Sequence, residues 1–480
     1  MVLNMKYEYQ DGRLSAIGLV GAAIDKFPTE LLDEHSQLLY LPTVLQLVND
    51  ESKKCREAAS SCVLKLLRRV STSVVKTLFE YTKRWSNGAA HLQRTAIQVF
   101  GMFIDADLDM LKERGVKSWL CEFLTSVLDE ADETSWEVPY FALICLEKMA
   151  KHNAASTSSG SDRSGLLNDL ALWEGILVAI NHDHPWIKLA SSRLVGLALV
   201  GPIDPTTDLR KIGPMDLFLV QRRGFLFDLA QGFCRQIALD ESEGDNTELV
   251  SLLVKNLSWV GRAMKANPDL CFKDDMPPED DNENENDSND AVDEKDNAQD
   301  RANTDQAQQE RKRDPLRWLF TRLSHMAKPK IAPRREAVFK CIAGFAHIGG
   351  GPLVGPYLET LLEPLHRSVL ESEGRKDAEG NTIESDEATL ARDVTQLLEE
   401  CAGDDFMEAY AAVKSKARDK RDKRKEAIAT EAMVDPKAAS LRKIKKHQQE
   451  RNRRKRRVDE RRSSHGRTQK RRHYTQKKEW

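Results

Sequence analysis

The strongest constraint on how this chain folds is an apolar stripe along one side of a helix, which recurs along the sequence. In the segment VNDESKKCREAASSCVLKLLRRV, residues 48–70, a polar turn leads into apolar side chains at the spacing of one helix face. The stripe consists of Ala58, Ala59, Cys62, Val63, Leu66, Leu67 and Val70. The pattern predicts an amphipathic helix that buries one face.

The stripe returns in four later segments, at residues 92–103, 137–150, 186–199 and 334–346. Each of them follows another amphipathic segment that ends in a polar turn. Arg56 and Arg94 hold equivalent positions and lie 38 residues apart. A repeated helix–turn–helix unit of this length is typical of a HEAT/armadillo-like helical-repeat solenoid. Strand signals are nearly absent, so we predict an all-α fold.

The first stripe of the chain lacks a partner helix in the sequence. DGRLSAIGLVGAAIDKFP places Arg13 43 residues before Arg56, so this segment is predicted to be the second helix of a pair. Either the solenoid begins with an atypical cap, or the chain is a fragment of a longer solenoid. We expect the fragment, because Leu14, Ile17 and Ile24 are ordinary core residues rather than polar cap residues.

Composition divides the chain into four parts. We predict a solenoid over residues 1–273, with a Ser/Gly loop at 153–165, and its continuation over residues 313–403. Between them lies an insert, residues 274–312, predicted to be disordered, because residues 274–300 carry 13 acids and one lysine with almost no apolar content. Residues 404–480 form a basic, partly helical C-terminal tail, helix-prone up to Asp435-Pro436.

The tail gives the clearest functional signal. Residues 414–480 hold 27 Lys/Arg against 9 Asp/Glu, a net charge of +18, whereas the remaining residues sum to −21. Clusters of this density neutralise several phosphates at once, and arginine pairs bidentately with phosphate. The candidate RNA-binding or nuclear-localisation residues are Lys443, Lys445, Lys446, Arg451, Arg453, Arg454, Lys455, Arg456, Arg457, Arg461, Arg462, Lys470, Arg471 and Arg472.

Two roles of the tail stay open, and they are compatible. RNRRKRR, residues 451–457, would serve as a nuclear localisation signal. Such a signal needs only about 5–8 residues, whereas the basic excess spans more than sixty, which favours nucleic-acid contact in addition. A membrane-surface helix is disfavoured, because the tail lacks the Trp/Phe/Leu face that such helices bury.

No catalytic or cofactor motif is present in the sequence. GxxxxGK[ST], G-x-G-x-x-G and G-x-S-x-G are all absent. His182 and His184, with Asp183 between them, could suggest a metal site, but we interpret them as an inter-helix turn. The glycines of GGGP, residues 349–352, are interpreted as a helix C-terminal stop rather than a phosphate cradle. We therefore predict a protein that is not an enzyme and has no cofactor, metal or small-molecule substrate.

The cysteines and the hydropathy profile indicate the compartment. Eight cysteines lack C-x-x-C spacing, and most lie within helical stripes, as Cys62, Cys145, Cys234 and Cys341 do. Buried free thiols in a reducing compartment are the simplest interpretation. No run of about 18 uncharged apolar residues and no signal-peptide h-region occur, so we predict an intracellular protein that does not contact membranes.

Three segments carry a resemblance to a known family. KYEYQDGRLSAIGLVGAAIDKFP, LPTVLQLVNDESKKCREAA and RKIKKHQQERNRRKRR resemble the C-terminal region of the U3 small nucleolar RNA-associated protein 20 family. The resemblance covers most of the chain outside the Ser/Gly loop and the acidic insert. It implies a scaffold of the nucleolar small-subunit processome, or 90S pre-ribosome, that supports processing of the 18S rRNA precursor. The implied partners are pre-ribosomal RNA, a particle containing U3 snoRNA, and other processome proteins, in the nucleus and nucleolus.

Two other protein classes remain as alternatives. A HEAT-repeat nuclear transport adaptor would use an acidic solenoid to bind basic cargo, although it has no obvious need of a tail with a charge of +18. A HEAT-repeat scaffold for a protein enzyme should not depend on RNA at all.

Overall fold

A computed structural model describes residues 2–129, 136–156, 170–200, 222–238, 247–272, 314–329, 331–373, 385–437, 440–445, 447–449, 451–452 and 455. The chain divides into two compact units, Met1–Met407 and Glu408–Trp480. Within the described ranges the regular elements are α-helices and short 3₁₀ turns, and no strand occurs. The all-α prediction is confirmed.

The helices of the first unit alternate between the first and the second helix of successive pairs, with one short extra helix, α2 (Thr29–Glu34). The first helices are α3 (Ser36–Asn49), α5 (Thr72–Ser86), α7 (Arg114–Asp129), α9 (Leu170–Ile180), α11 (Phe225–Ala238), α13 (Pro315–Met326) and α15 (Leu358–Glu373). The second helices are α1 (Gln10–Lys26), α4 (Lys53–Arg69), α6 (Ala90–Asp105), α8 (Glu137–Ser156), α10 (Pro185–Val200), α12 (Thr247–Ala266), α14 (Ala332–Val354) and α16 (Asp386–Ala402).

The second helices stack directly on one another, each packing on the second helix of the next pair from α1 through to α16. Each second helix from α4 to α16 also packs against its own first helix, as α3 does against α4 and α15 against α16. Helix α12 packs on α14 although residues 273–313 separate the two pairs in sequence. Stacked pairs that each contact their neighbours are the architecture of the predicted HEAT/armadillo-like solenoid.

The predicted stripes form the core. In α4 the side chains of Cys62, Val63, Leu66 and Leu67 are buried. The stripe predicted within residues 334–346, now part of α14, is buried as well: Ala337, Val338, Cys341, Ile342 and Phe345. Ala58 and Phe141 are only partly buried. Aromatic rings join consecutive pairs: Phe79, Phe100, Phe103 and Trp119 meet edge-on or tilted, with centroid separations of 5.3–5.9 Å. Such ring pairs stabilise an interface beyond the area they bury.

A polar link also joins neighbouring pairs. An arginine of one second helix reaches acidic side chains at or just before the start of the next second helix. The pairs are Arg13 with Asp50 and Glu51, Arg94 with Glu137, Arg193 with Glu248, and Arg335 with Glu387. Arg56 differs, since it donates to the backbone carbonyls of Asp50 and Glu51 within its own pair. The recurring arginine therefore connects repeats, with one exception.

Three predictions from the sequence concern segments between helices or at their ends. Helix α8 runs to Ser156, so the first residues of the predicted Ser/Gly loop at 153–165 are helical, and the rest lie outside the described residues. The acidic insert, residues 274–312, lies wholly outside them. Gly350 has φ +60°, a backbone conformation that favours glycine. The first helical part of α14 stops there, and a kink separates it from a second, short helical part that ends at Val354. The interpretation of GGGP as a helix stop is confirmed.

One apolar segment of the described chain, Ala332–Ser372, is long and apolar enough to cross a membrane by composition alone. An 18-residue window within it has a mean hydropathy of 1.4, and 56% of that window is buried inside the protein. Phe345 in this segment is fully buried, 5.0 Å from Phe320 between ring centroids. Because its apolar side chains pack against neighbouring helices and Gly350 interrupts it, we assign the segment to the solenoid core.

The cysteines behave as small core residues. Six of the eight are buried, and all are free thiols, including Cys62, Cys145, Cys234 and Cys341. Burial raises the pKa of Cys145 and of Cys234 to about 12. A thiol with so high a pKa is a poor nucleophile at neutral pH, so these residues contribute packing rather than chemistry.

Candidate nucleic-acid interface

The second unit, Glu408–Trp480, contains most of the longest helix of the chain, α17 (Asp404–Val434). This segment has no glycine or proline and is rich in Ala, Lys, Arg and Glu, which are strong helix formers. Asp404 and Asp405 lie in its first turn, where acidic side chains suit the helix dipole. The helix ends just before Asp435-Pro436, as the sequence predicts.

Beyond Asp435 the chain returns to helix in the parts that the structure describes, at residues 436–437, 440–445, 447–449 and 451–452. The Asp435 carboxylate accepts a hydrogen bond from the backbone N–H of Lys437 at 3.0 Å, so it restarts helical structure after the break. The described residues of the basic cluster that begins at Lys443 are therefore on helical backbone.

Most side chains of this helix are exposed to solvent, unlike those of the solenoid helices. From Lys414 to Thr430, every side chain except Ala417 is exposed. The apolar residues near its end are exposed as well: Ile428 at 55%, Met433 at 84% and Val434 at 79%. From Lys414 onward the helix therefore presents charge to solvent, whereas Phe406 and Val413, nearer its start, are buried.

Two local contacts involve its charged side chains. Lys414 Nζ lies 4.0 Å from the centroid of the Tyr410 ring, a cation–π contact. Lys425 Nζ donates to Asp422 Oδ1 at 2.9 Å. This hydrogen bond, with the attraction of nearby cations, holds the pKa of Asp422 below its usual value. The carboxylate is therefore charged at neutral pH and partly compensates the basic residues beside it.

The structure describes four of the fourteen candidate residues. Lys443, Lys445, Arg451 and Lys455 are helical and exposed. The others lie outside the described residues: Lys446, Arg453, Arg454, Arg456, Arg457, Arg461, Arg462, Lys470, Arg471 and Arg472. The fourteen residues stay predictions.

Sequence reasoning did not name the basic residues of α17 as candidates, although it counted them in the net charge of the tail. These are Lys414, Lys416, Arg418, Lys420, Arg421, Lys423, Arg424 and Lys425, all exposed. The high density of lysine and arginine in this segment was the sequence feature that could have identified them as candidates. Their positions around the axis follow from the continuous helix that contains them, because successive residues of a helix are about 100° apart.

The histidine pair forms a turn, as interpreted from the sequence. His182 Nδ1 accepts the backbone N–H of His184 at 2.9 Å, and His184 Nδ1 accepts that of Trp186 at 3.3 Å. The His184 ring stacks on Trp136, with 4.2 Å between centroids. Both Nδ1 atoms thus fix backbone at the start of α10. Within the described ranges no group of three or more His, Cys, Asp or Glu residues could hold a metal ion.

Comparison with known proteins identifies similar sequences. A family model described as "Small subunit processome component 20 homolog, C-terminal" matches residues 92–460. U3 small nucleolar RNA-associated protein 20 of Schizosaccharomyces pombe is 22% identical over 456 residues, which are 91% of this chain and 16% of that protein. Its namesake in Saccharomyces cerevisiae is 24% identical over 204 residues, 41% of this chain and 8% of that protein. The chain thus spans a small part of the length of either relative.

Solved structures with a similar arrangement are helical-repeat proteins. Yeast importin-beta (Kap95p) has a TM-score of 0.40 at 13% identity, covering 86% of this chain and 49% of that one. A designed armadillo repeat protein has a TM-score of 0.28 at 12% identity, covering 54% of this chain and 98% of that one.

Proposed function

Because the chain belongs to the family of C-terminal regions of small subunit processome component 20, we propose that it is a non-enzymatic scaffold in ribosome biogenesis. The observation that carries the proposal is the family match over residues 92–460, which includes most of the solenoid and the first part of the basic tail. In this role the chain belongs to the nucleolar small-subunit processome, or 90S pre-ribosome, and supports processing of the 18S rRNA precursor.

The solenoid is the protein-binding part in this proposal. Stacked helix pairs expose an extended surface for their length, and each pair is held by its neighbours. The surface includes exposed aromatic side chains, such as Trp186 at 53% exposure, which pack well at protein interfaces. Other processome proteins are the proposed partners of this surface.

The tail is the RNA-binding part. Its positive charge requires a polyanion, and pre-ribosomal RNA or a particle containing U3 snoRNA supplies one. The exposed, helical Lys443, Lys445, Arg451 and Lys455 support phosphate contact, since their charged groups are accessible to solvent. Contacts of this kind position a protein on RNA and carry little sequence preference.

A salt titration of RNA binding tests the role of the tail. In the full chain, Arg453, Arg454, Lys455, Arg456 and Arg457 are replaced by alanine. The matched control replaces five exposed basic residues of the first unit, Lys26, Lys53, Lys54, Arg68 and Lys340. Each phosphate contact adds about 0.7–0.9 to the slope of log affinity against log salt. Because not all five side chains contact phosphate at once, we expect the slope of the tail variant to fall by about 2–4 units. The control should lose less than about 1 unit.

The cellular test separates RNA binding from import. The tail variant receives an unrelated nuclear localisation signal, and RNA crosslinked to it in cells is sequenced. We expect wild-type crosslinks to pre-ribosomal RNA or U3 snoRNA, and their loss in the variant, together with weaker cosedimentation with pre-ribosomal particles. If the rescued variant crosslinks and cosediments like the wild type, the tail serves only as a nuclear localisation signal. Absence of RNA crosslinks from the wild type would instead favour a transport adaptor or an enzyme scaffold.

A further inference from the structure

The charges of α17 are sorted by face. Between Lys414 and Glu426 the helix carries eight basic and three acidic residues, all exposed. At about 100° per residue, Asp419, Asp422 and Glu426 lie within an arc of about 60°. Their spacing of three and then four residues places them in one row along the axis. We call these three residues the acidic stripe.

The acidic stripe divides the basic residues into two sets of four. Lys416, Arg418, Lys423 and Lys425 each lie three or four residues from a member of the stripe, and we call them the flanking set. Lys425 forms the ion pair with Asp422 at 2.9 Å. The other four have no acidic residue at these spacings and lie within an arc of about 120° opposite the stripe. This second set, the basic face, consists of Lys414, Lys420, Arg421 and Arg424.

This arrangement is unfavourable for an isolated helix. A solvated charged helix is stabilised when opposite charges lie at i and i+4, whereas like charges at that spacing destabilise it. On the basic face, Lys420 and Arg424 lie at i and i+4, and Arg421 and Arg424 at i and i+3. Their repulsion is relieved only when an external anion neutralises them. The sorted charges therefore suit docking of one side of the helix on a polyanion, with the acidic stripe directed away from it.

The chemistry of the helix indicates which polyanion fits. Unpaired RNA bases stack chiefly on aromatic side chains and also on arginine guanidinium groups. Residues 414–434 contain no aromatic residue, and the ring of Tyr410, just before them, lies against Lys414 Nζ at 4.0 Å. From Lys414 to Arg424 the basic face extends about 15 Å along a rigid axis, at 1.5 Å per residue. The phosphates of a duplex are regularly spaced on a similarly rigid backbone. Cations held on one face of a rigid helix, without aromatic residues among them, therefore fit the backbone of paired RNA better than a single strand.

We propose that the basic face of α17 is a docking surface for the phosphate backbone of double-stranded RNA. The inference rests on the proposed RNA-binding role of the tail, and it assigns α17 a contact separate from the cluster at residues 443–472. The acidic stripe fixes how the helix is rotated on the RNA, because phosphates repel it. The flanking set contributes less, since its charges are locally compensated.

Two full-chain variants test the proposal, and each removes four positive charges from the same helix. One replaces the basic face with glutamine, and the other replaces the flanking set with glutamine. Glutamine has nearly the helix propensity of lysine and arginine, and circular dichroism checks that helix content is kept. The probe is a hairpin RNA with a stem of about 16 base pairs, the length that one dsRNA-binding domain spans. Affinity is measured as a function of salt concentration.

We expect the basic-face variant to lose about 2–3 units of the log–log salt slope, since each lost phosphate contact removes about 0.7–0.9. The flanking-set variant should lose less than about 1 unit. Equal losses in the two variants would show that only total charge matters, and this would overturn the proposal. A larger loss in the flanking-set variant would overturn it as well.

Two further measurements identify the partner and separate this proposal from the preceding one. A peptide with the sequence of residues 274–300 is offered as an acidic polypeptide. If the basic-face variant binds the peptide less well but binds RNA normally, the surface serves an acidic protein and the RNA assignment is wrong. If replacing residues 453–457 abolishes RNA binding while the basic-face variant binds normally, only the assignment to α17 fails. If the wild-type chain binds no RNA, both proposals fail.

Discussion

Arg335 holds three helices and a turn together near the C-terminal end of the solenoid. Its side chain is 4% exposed. Nε donates to the carbonyls of Ala327 and Pro329, both at 2.9 Å, in the turn that joins α13 to α14. Nη1 donates to Glu371 of α15 at 3.1 Å and to Glu387 of α16 at 2.9 Å. Replacing this residue therefore tests how the repeats are coupled.

Methionine at position 335 would keep most of the side-chain volume and remove all of these hydrogen bonds. The carboxylates of Glu371 and Glu387, whose side chains are 23% and 15% exposed, would lose their shared cation. Removing one partner of a buried ion pair costs about 3–5 kcal/mol, because the other charge stays buried. Since water reaches both carboxylates in part, we expect a loss of about 2–4 kcal/mol for Arg335→Met.

Hydrogen exchange measures this loss by region. Because each pair in a solenoid depends mainly on its neighbours, the loss should be confined to α14, α15 and α16. Their slowest amides should exchange about 30- to 700-fold faster, the equivalent of 2–4 kcal/mol. Amides of α4 and α6, at the other end of the first unit, should be unchanged.

Two variants serve as controls for the Arg335 prediction. Arg367, whose side chain is 30% exposed, pairs with Glu363 at i and i+4, so Arg367→Met should cost at most about 0.5 kcal/mol. Adding Glu387→Gln to Arg335→Met should recover part of the loss, because it removes one of the two unpaired carboxylates. An acceleration below about fivefold in Arg335→Met, or no recovery in the double variant, would refute the reasoning.

Three further predictions concern the core and its titratable groups. Leu66→Asp should cost about 4 kcal/mol or more, seen as a lower melting temperature, because it places a charge at a site that is 1% exposed. Burial raises the pKa of Asp50, but hydrogen bonds, chiefly from Arg13, outweigh it, and the pKa lies below the usual 3.8. The ionised Asp50 carboxylate therefore stabilises the fold above pH 3.8, and this stabilisation is lost as the pH falls further. In Asp50→Asn the free energy of unfolding should therefore decrease less steeply in acid. Cys145, with a pKa raised to about 12 by burial, should react with iodoacetamide at pH 7 only after unfolding.

Much of the fold could be predicted from the sequence, because helix amphipathicity is a local property. The spacing of Cys62, Val63, Leu66 and Leu67 defines a buried face whatever packs on it, and all four are buried in the structure. Pro436 and the glycines near Gly350 end helices through their own backbone preferences. The charge of the tail likewise depends only on composition.

The partners of two buried polar side chains in the pair α11–α12 could not be predicted from the sequence. Asn256 and Gln236 are buried together with the apolar residues of these helices. Each donates a hydrogen bond across the boundary between pairs: Asn256 Nδ2 donates to the Ser192 carbonyl at 2.8 Å, and Gln236 Nε2 donates to the Ile180 carbonyl at 2.6 Å. These partners lie 64 and 56 residues away, so no local pattern reveals them.

By itself, the sequence determined the helices, their buried faces and the basic character of the tail, since each follows from residues close together in the chain. Only the tertiary structure decided which side chains meet. The sequence showed that Arg13, Arg56 and Arg94 recur, but not that Arg13 pairs with Asp50 while Arg56 caps backbone carbonyls. The physical reason is that a buried charge is stabilised by the carboxylates and carbonyls of the neighbouring helix pair that lie within about 3 Å of it. That distance depends on how the helix pairs stack, and not on the spacing of residues along one helix.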